Sequence, residues 1–158
     1  MREHRVRIAH HAVAVGRARL VTIGLGSCVA IAIRDPMAKI GGLAHVLLPH
    51  ASIGRDEGNR AKFASTAVPL LLEEMAALGA TGPFVAKIAG GAGLFRQLLS
   101  DGGSIGARNV EAVRDALSAA RVTLVAEDVG GDEGRSVFFD VGSGRVSVRS
   151  VRGGERVL

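Results

Sequence analysis

The chain carries one cysteine, Cys28, in the stretch Val21-Thr22-Ile23-Gly24-Leu25-Gly26-Ser27-Cys28-Val29-Ala30-Ile31-Ala32-Ile33. A lone thiol has no intrachain disulfide partner and no second cysteine for a CxxC zinc or redox pair. What remains to it is nucleophilic chemistry, which needs a base or a cation close by to produce thiolate at neutral pH. His45, in Gly41-Gly42-Leu43-Ala44-His45-Val46-Leu47-Leu48-Pro49, is a candidate base. Spacing alone leaves the plainer accounts open. A free cysteine is commonly a small buried hydrophobe, and a histidine on an apolar strand is commonly a satisfied core residue. Thr22 lies on the segment leading into the glycine turn. Its hydroxyl could orient the imidazole or touch substrate, and strand packing of a β-branched residue is the plainer account.

Other motifs weaken on inspection. Gly24 to Val29 resembles half of a dinucleotide fingerprint, but the third glycine is missing and a strand pattern follows where a helix is required. Gly90-Gly91-Ala92-Gly93 runs into Leu94-Phe95-Arg96, without the Lys-Ser/Thr of a phosphate loop, so close backbone packing is expected there. His4, His10, His11 and His50 lack Cys or carboxylate companions at metal spacing, and neither a metal nor a cofactor is expected. Asp35, Asp128 and Asp132 fall at turns or strand ends, where a capping role is the default.

A length of 158 residues fits one domain over 1–158 and allows a sizeable core without staples. With no Trp, no Tyr and five Phe, that core must be aliphatic. The net charge of +5 gathers in an N-terminal group (Arg2, Arg5, Arg7, Arg17, Arg19) and a C-terminal one (Arg135, Arg145, Arg149, Arg152, Arg156). Such groups can attract an acidic partner, although solvated strand edges are the simpler reading. No aromatic residues interleave with them and no zinc-finger spacing occurs, which argues against nucleic acid. No signal-peptide h-region and no apolar run of about 20 residues is present. The expectation is a soluble cytoplasmic protein with a reduced thiol and no membrane insertion.

The elements that must position these residues read as mixed α/β. Short strands are expected at Val6-Arg7-Ile8, Ala12–Val15, Leu20–Ile23 ending at Gly24, Val29–Ile33, Gly42–Leu48, Phe84–Ala89 and Val122–Ala126. The unbroken apolar run Val29–Ile33 predicts burial on both faces. A hairpin is expected from Val137-Phe138-Phe139 and Arg145–Val151 around Gly142-Ser143-Gly144. Polar residues over 50–60 predict a mobile surface loop. Phe63, Ala67, Leu70, Leu71, Met75 and Leu78 predict a helix over 61–78 closed by Gly79, with a bend or restart near Pro69. Asn109 reads as the cap of a second helix whose inner face carries Val110, Val113, Leu117 and Ala120.

Taken together, Thr22 to Ala30, Arg34-Asp35-Pro36, Lys39 to Gly42 and Ala44 to Pro49 resemble the chemoreceptor glutamine deamidase family, CheD. So do Ala86 to Ala92, Ile105 to Asn109, Glu127 to Gly131 and Arg135-Ser136-Val137. The likeness runs through nearly the whole chain in order. His10-His11, the segment 52–60 and Pro69 depart from it. The resemblance implies mixed β-sheets packed in a layered sandwich flanked by helices, similar to the catalytic domain of cytotoxic necrotizing factor toxins. It implies a cofactor-free hydrolase that converts glutamines of methyl-accepting chemotaxis receptors to glutamate and can hydrolyse receptor glutamyl methyl esters. It maps a nucleophile, base and third member onto Cys28, His45 and Thr22. For that chemistry, backbone N–H groups around Cys28, in the turn of Gly26 and Ser27, are the natural oxyanion donors. The resemblance also implies a CheC-type chemotaxis phosphatase as a partner. A regulatory module acting mainly through that phosphatase is the alternative. A thiol redox sensor is a third reading, disfavoured because no resolving cysteine exists.

Overall fold

A computed structural model describes residues 1–51, 58–93 and 104–158. The expected surface loop over 50–60 therefore lies partly outside the described residues, at 52–57, as does the Leu94-Phe95-Arg96 sequence after the second glycine cluster. In chain order the strands are β1 (Arg2–Arg5), β2 (His11–Val15), β3 (Ala18–Leu25), β4 (Val29–Asp35), β5 (Ile40–Val46), β6 (Val85–Gly90), β7 (Thr123–Val129), β8 (Arg135–Asp140), β9 (Val146–Ser150) and β10 (Glu155–Val157). The helices are α1 (Ala64–Ala77) and α2 (Ile105–Ala119).

Two five-stranded mixed sheets result, ordered β1-β3-β8-β9-β10 and β2-β5-β4-β6-β7. They pack face to face, and both helices cover the outer face of the second sheet. Strand β4 carries Ile31 and Ile33 toward the helices and Ala30 and Ala32 toward the first sheet. That double burial is what its continuous apolar run required. One core cluster joins β4, β5 and β6 to Val68, Leu71, Met75, Val113 and Leu117 of the helices. The other fills the space between the sheets with Leu20, Leu25, Leu43, Val137, Phe139 and Val148.

Several expectations are corrected. Val6-Arg7-Ile8 is not a strand. β1 ends at Arg5, and the next residues cross from the edge of the first sheet to the edge of the second, where β2 begins. Helix α1 runs unbroken through Pro69, which is exposed. The break comes earlier, at Phe63, whose extended backbone (φ −117, ψ 138) separates a 3-10 turn at Arg60–Lys62 from α1. Gly79 ends α1 as expected: at φ 108 its N–H reaches the Ala76 carbonyl, and that of Ala80 the Met75 carbonyl, the doubled bond pattern of a left-handed helix stop. Asn109 caps nothing. Ser104 is the cap of α2, accepting the Ala107 N–H at 3.1 Å, and Asn109 lies a turn inside the helix, fully buried.

Some of these basic residues are paired at the surface, as in Arg19–Asp140 (3.0 Å) and Arg149–Glu155 (2.9 Å). Arg135 is the exception to the solvated-edge reading: it is buried, donating to the carbonyls of Gly130 (2.8 Å) and Gly90 (3.3 Å) and to Asp128 (3.4 Å). Asp35 fulfils its expected turn role in full. Its buried carboxylate accepts the N–H groups of Met37, Ala38, Thr81 and Gly82, which hold it below the usual carboxylate range.

Candidate active site

The glycine turn after β3 has a physical origin. The pairing of β3 with β8 shifts register between Thr22 and Leu25, and Gly24 inside that bulge takes φ 79, a left-handed backbone that favours glycine. The bulge leaves Ile23 half exposed and turns Leu25 back into the core. The chain then passes through Gly26 and Ser27, both half-buried, to Cys28, one residue before β4.

Three successive carbonyls of this turn are tied down. Gly26 accepts the Ala92 N–H (2.9 Å) and Cys28 accepts the Gly91 N–H (2.8 Å). Ser27 accepts from Asn109 Nδ2 (2.9 Å). In a trans peptide the N–H points opposite to the preceding carbonyl, so the N–H of Ser27 faces away from Ala92 and that of Cys28 away from Asn109 of α2. The close approach depends on glycine. A Cβ on Gly90, at φ 115, would stand 2.3 Å from the Cys28 carbonyl oxygen, and one on Gly106 of α2 would stand 2.3 Å from that of Ala92. The glycine cluster at 90–93 thus serves the close packing expected of it, and Arg135 holds the Gly90 carbonyl from the far side.

His45 is placed by strand pairing. In the β4–β5 ladder Ala30 lies opposite His45 and Val29 opposite Val46. Cys28, two residues before Ala30, is therefore a diagonal neighbour of His45 on the face toward the first sheet, at a typical Cα separation of about 7–8 Å. Thr22 comes to the same place from the other sheet. Its Oγ1 lies 2.6 Å from the Val6 carbonyl oxygen and 2.6 Å from His45 Nδ1. A hydroxyl has one proton, and the Val6 carbonyl can only accept, so the Thr22 proton goes to Val6 and His45 Nδ1–H donates to Thr22. The remaining proton-accepting nitrogen, Nε2, is buried and makes no hydrogen bond among the described residues. The backbone of the crossing segment braces His45 as well: its carbonyl accepts the Ala9 N–H (2.9 Å) and its N–H donates to the His10 carbonyl (3.1 Å).

Burial sets the resting charges. Thr22 is fully enclosed, His45 is 1% exposed and Cys28 4%. Burial holds the imidazole neutral, its pKa lowered to about 4. It also pushes the thiol up, a shift opposed by the cysteine's own backbone N–H, which favours the thiolate. The resting pair is therefore neutral thiol and neutral imidazole.

The expected nucleophile, base and third residue are thus brought together, with Gly26 and Ser27 in the turn that supports them. Reading the sequence alone missed two groups that hold these residues, the Val6 carbonyl and Asn109. The Val6 carbonyl is backbone and carries no side-chain signal. Asn109 had one: it falls with Gly106, Val110, Val113 and Leu117 on the inner stripe of α2, a polar residue at a core position.

A family model described as CheD chemotactic sensory transduction matches residues 47–150. Over 153 residues the chain is 46% identical to the "Chemoreceptor glutamine deamidase CheD" of Thermotoga maritima, covering 96% of this chain and 94% of that protein. It is 48% identical over 151 residues to the "Probable chemoreceptor glutamine deamidase CheD" of Archaeoglobus fulgidus, covering 95% and 94%. With the protein of the same description from Pyrococcus abyssi it shares 43% over 155 residues, covering 98% and 95%.

Proposed function

The chain belongs to the CheD chemotactic sensory transduction family, and on that footing we propose that it is a cysteine-dependent deamidase of receptor glutamine side chains. The observation that carries the reading is the orientation of His45. Thr22 holds Nδ1 protonated, leaving the Nε2 lone pair free on the same sheet face as the chain's one thiol.

The chemistry follows from that tautomer. His45 Nε2 takes the Cys28 proton as the sulfur attacks the glutamine side-chain carbonyl carbon. The oxygen that gains charge is met by the N–H of Cys28, with that of Ser27 beside it. The imidazolium, stabilised by Thr22 and through it by Val6, returns its proton to the departing ammonia and leaves a thioester. Nε2 then takes a proton from water, hydroxide adds to the thioester carbonyl, and collapse restores the thiol and releases glutamate. A glutamyl methyl ester enters the same sequence with methanol as the leaving group, which supports a second activity on methylated receptors. The family likeness extends to a CheC-type phosphatase as partner, which a pull-down with that phosphatase tests.

The direct test is incubation of the protein with receptor cytoplasmic fragments, followed by peptide mass spectrometry. Conversion of specific glutamines to glutamate is expected, and unchanged glutamines would overturn the reading. The pH dependence is distinctive. The base works only when neutral, and its protonation is displaced from the ordinary histidine value of 6.5 to about 4. The acid limb of kcat/KM is therefore expected near pH 4, with activity at pH 5 close to that at pH 7. An ordinary histidine would already have cost roughly 30-fold at pH 5. An acid limb near 6.5 in initial rates measured from pH 4 to 8 would contradict the buried neutral base.

A further inference from the structure

Resting on the deamidase reading, we propose that Asn109 is a positioning residue for the reaction: by holding the Ser27 carbonyl it aims the Cys28 N–H at the oxygen that becomes negative during attack. Asn109 is fully buried on the inner face of α2, and its Nδ2 donates to two carbonyls, that of Ser27 at 2.9 Å and that of Leu47 at 3.0 Å. Those acceptors are not arbitrary. Ser27 immediately precedes the nucleophile, and Leu47 follows the base by two residues and stands opposite Cys28 when the β4–β5 register is continued. One amide therefore ties the strand end that carries Cys28 to the strand end that carries His45, where the ladder itself has stopped at Val29 and Val46.

The orientation of the amide is not ambiguous. Two carbonyl oxygens must face hydrogen-bond donors, so the NH2 group lies between them and Oδ1 points elsewhere, buried and without a partner among the described residues. Holding the Ser27 carbonyl toward α2 turns the N–H of the same peptide plane away from α2, to the side on which the Cys28 sulfur stands. Burial pushes the Cys28 thiol up, and that N–H opposes the shift. Without Asn109, neither the Ser27 nor the Leu47 carbonyl keeps its buried donor, and the Ser27–Cys28 peptide is no longer held in that orientation. The thiol and imidazole remain, but the donor aimed at the developing oxyanion is lost.

A role of this kind separates chemistry at a carbonyl from simple thiol reactivity. For Asn109→Ala, kcat for receptor-fragment deamidation is expected to fall about 10- to 100-fold, less than the full loss of an oxyanion donor. KM is expected to stay within about twofold, and the rate of Cys28 alkylation by iodoacetamide, which loses only the support that this N–H gives the thiolate and forms no oxyanion, is expected to fall by less than kcat. A kcat within about threefold of wild type would overturn the proposal, as would a loss carried by KM or an alkylation rate that falls in step with kcat. Where the variant does not fold, the wild-type protein decides by NMR. A peptide aldehyde replacing the glutamine side chain forms a hemithioacetal with Cys28, and the Cys28 amide proton is expected to move downfield in that adduct. An amide proton that does not move overturns the proposal. A wild-type protein that forms the adduct and shifts its amide yet converts no glutamine defeats the deamidase reading instead.

Discussion

Cys28→Ala is expected to lower receptor-glutamine deamidation by at least about 10⁴-fold while leaving a folded protein. The substitution removes one sulfur from a site that is 4% exposed at the edge of the inter-sheet core. No hydrogen bond links that sulfur to His45. The stability cost is therefore that of a small cavity, on the order of 1 kcal/mol. Nothing else in the site can replace the nucleophile, because Thr22 has already committed its proton to Val6 and its lone pair to His45. Cys28→Ser is expected to be nearly as inactive. A hydroxyl holds its proton far more tightly than a thiol, and an imidazole whose pKa is lowered to about 4 is too weak a base to take it. Mass spectrometry of receptor fragments, with a thermal melt of each variant, checks both statements. Glutamate formation that survives Cys28→Ala would remove cysteine from the mechanism.

Thr22→Val is the second large effect, and it strikes stability and rate together. Valine matches threonine in shape, so the loss is the hydroxyl alone. It leaves the Val6 carbonyl and the His45 Nδ1–H buried without partners, at about 1–3 kcal/mol each. Urea denaturation should therefore show a loss of roughly 2–6 kcal/mol. With no acceptor at Nδ1 the proton can move to Nε2, which takes the base out of action. A fall in kcat of about 10²-fold or more is expected, by the same tautomer logic that makes triad orienters matter. Thr22→Ser keeps the hydroxyl and should recover most of both losses. Imidazole nitrogen shifts measured by NMR report the tautomer directly. A Thr22→Val protein in which Nδ1 remains the protonated nitrogen and kcat is unchanged would reduce Thr22 to a packing residue.

The parts of this molecule that could be read from sequence share one property: their cause is local. The apolar run Val29–Ile33 had to be a strand buried on two faces, and Ala64 to Ala77 had to be helical. Gly79 had to end that helix, and Gly24 had to turn the chain. The parts that were misread depend on distant contacts. Asn109 has the chemistry of a helix cap, and only the packing of α2 against the end of β5 shows that its amide is consumed by Ser27 and Leu47. Arg135 has the composition of a solvated edge, yet it sits 8% exposed among carbonyls. Val6-Arg7-Ile8 alternates like a strand, but the hydrogen bond from Thr22 and the brace on His45 draw this segment across the gap between the sheets. The three-residue β10 has too little pattern to announce itself.

By itself the sequence determined that Cys28 is the chain's one thiol, that a glycine turn delivers it to an apolar strand, and that the layers are aliphatic sheets and helices. It also determined, through family resemblance, which histidine and threonine to examine. The tertiary structure decided what these residues do to one another. Thr22 and His45 belong to different sheets, and only the packing of those sheets brings Oγ1 within 2.6 Å of Nδ1. That contact assigns the tautomer, and the burial that comes with it keeps the imidazole neutral. A proton's position depends on which groups face one another in space, and spacing along a chain does not encode that.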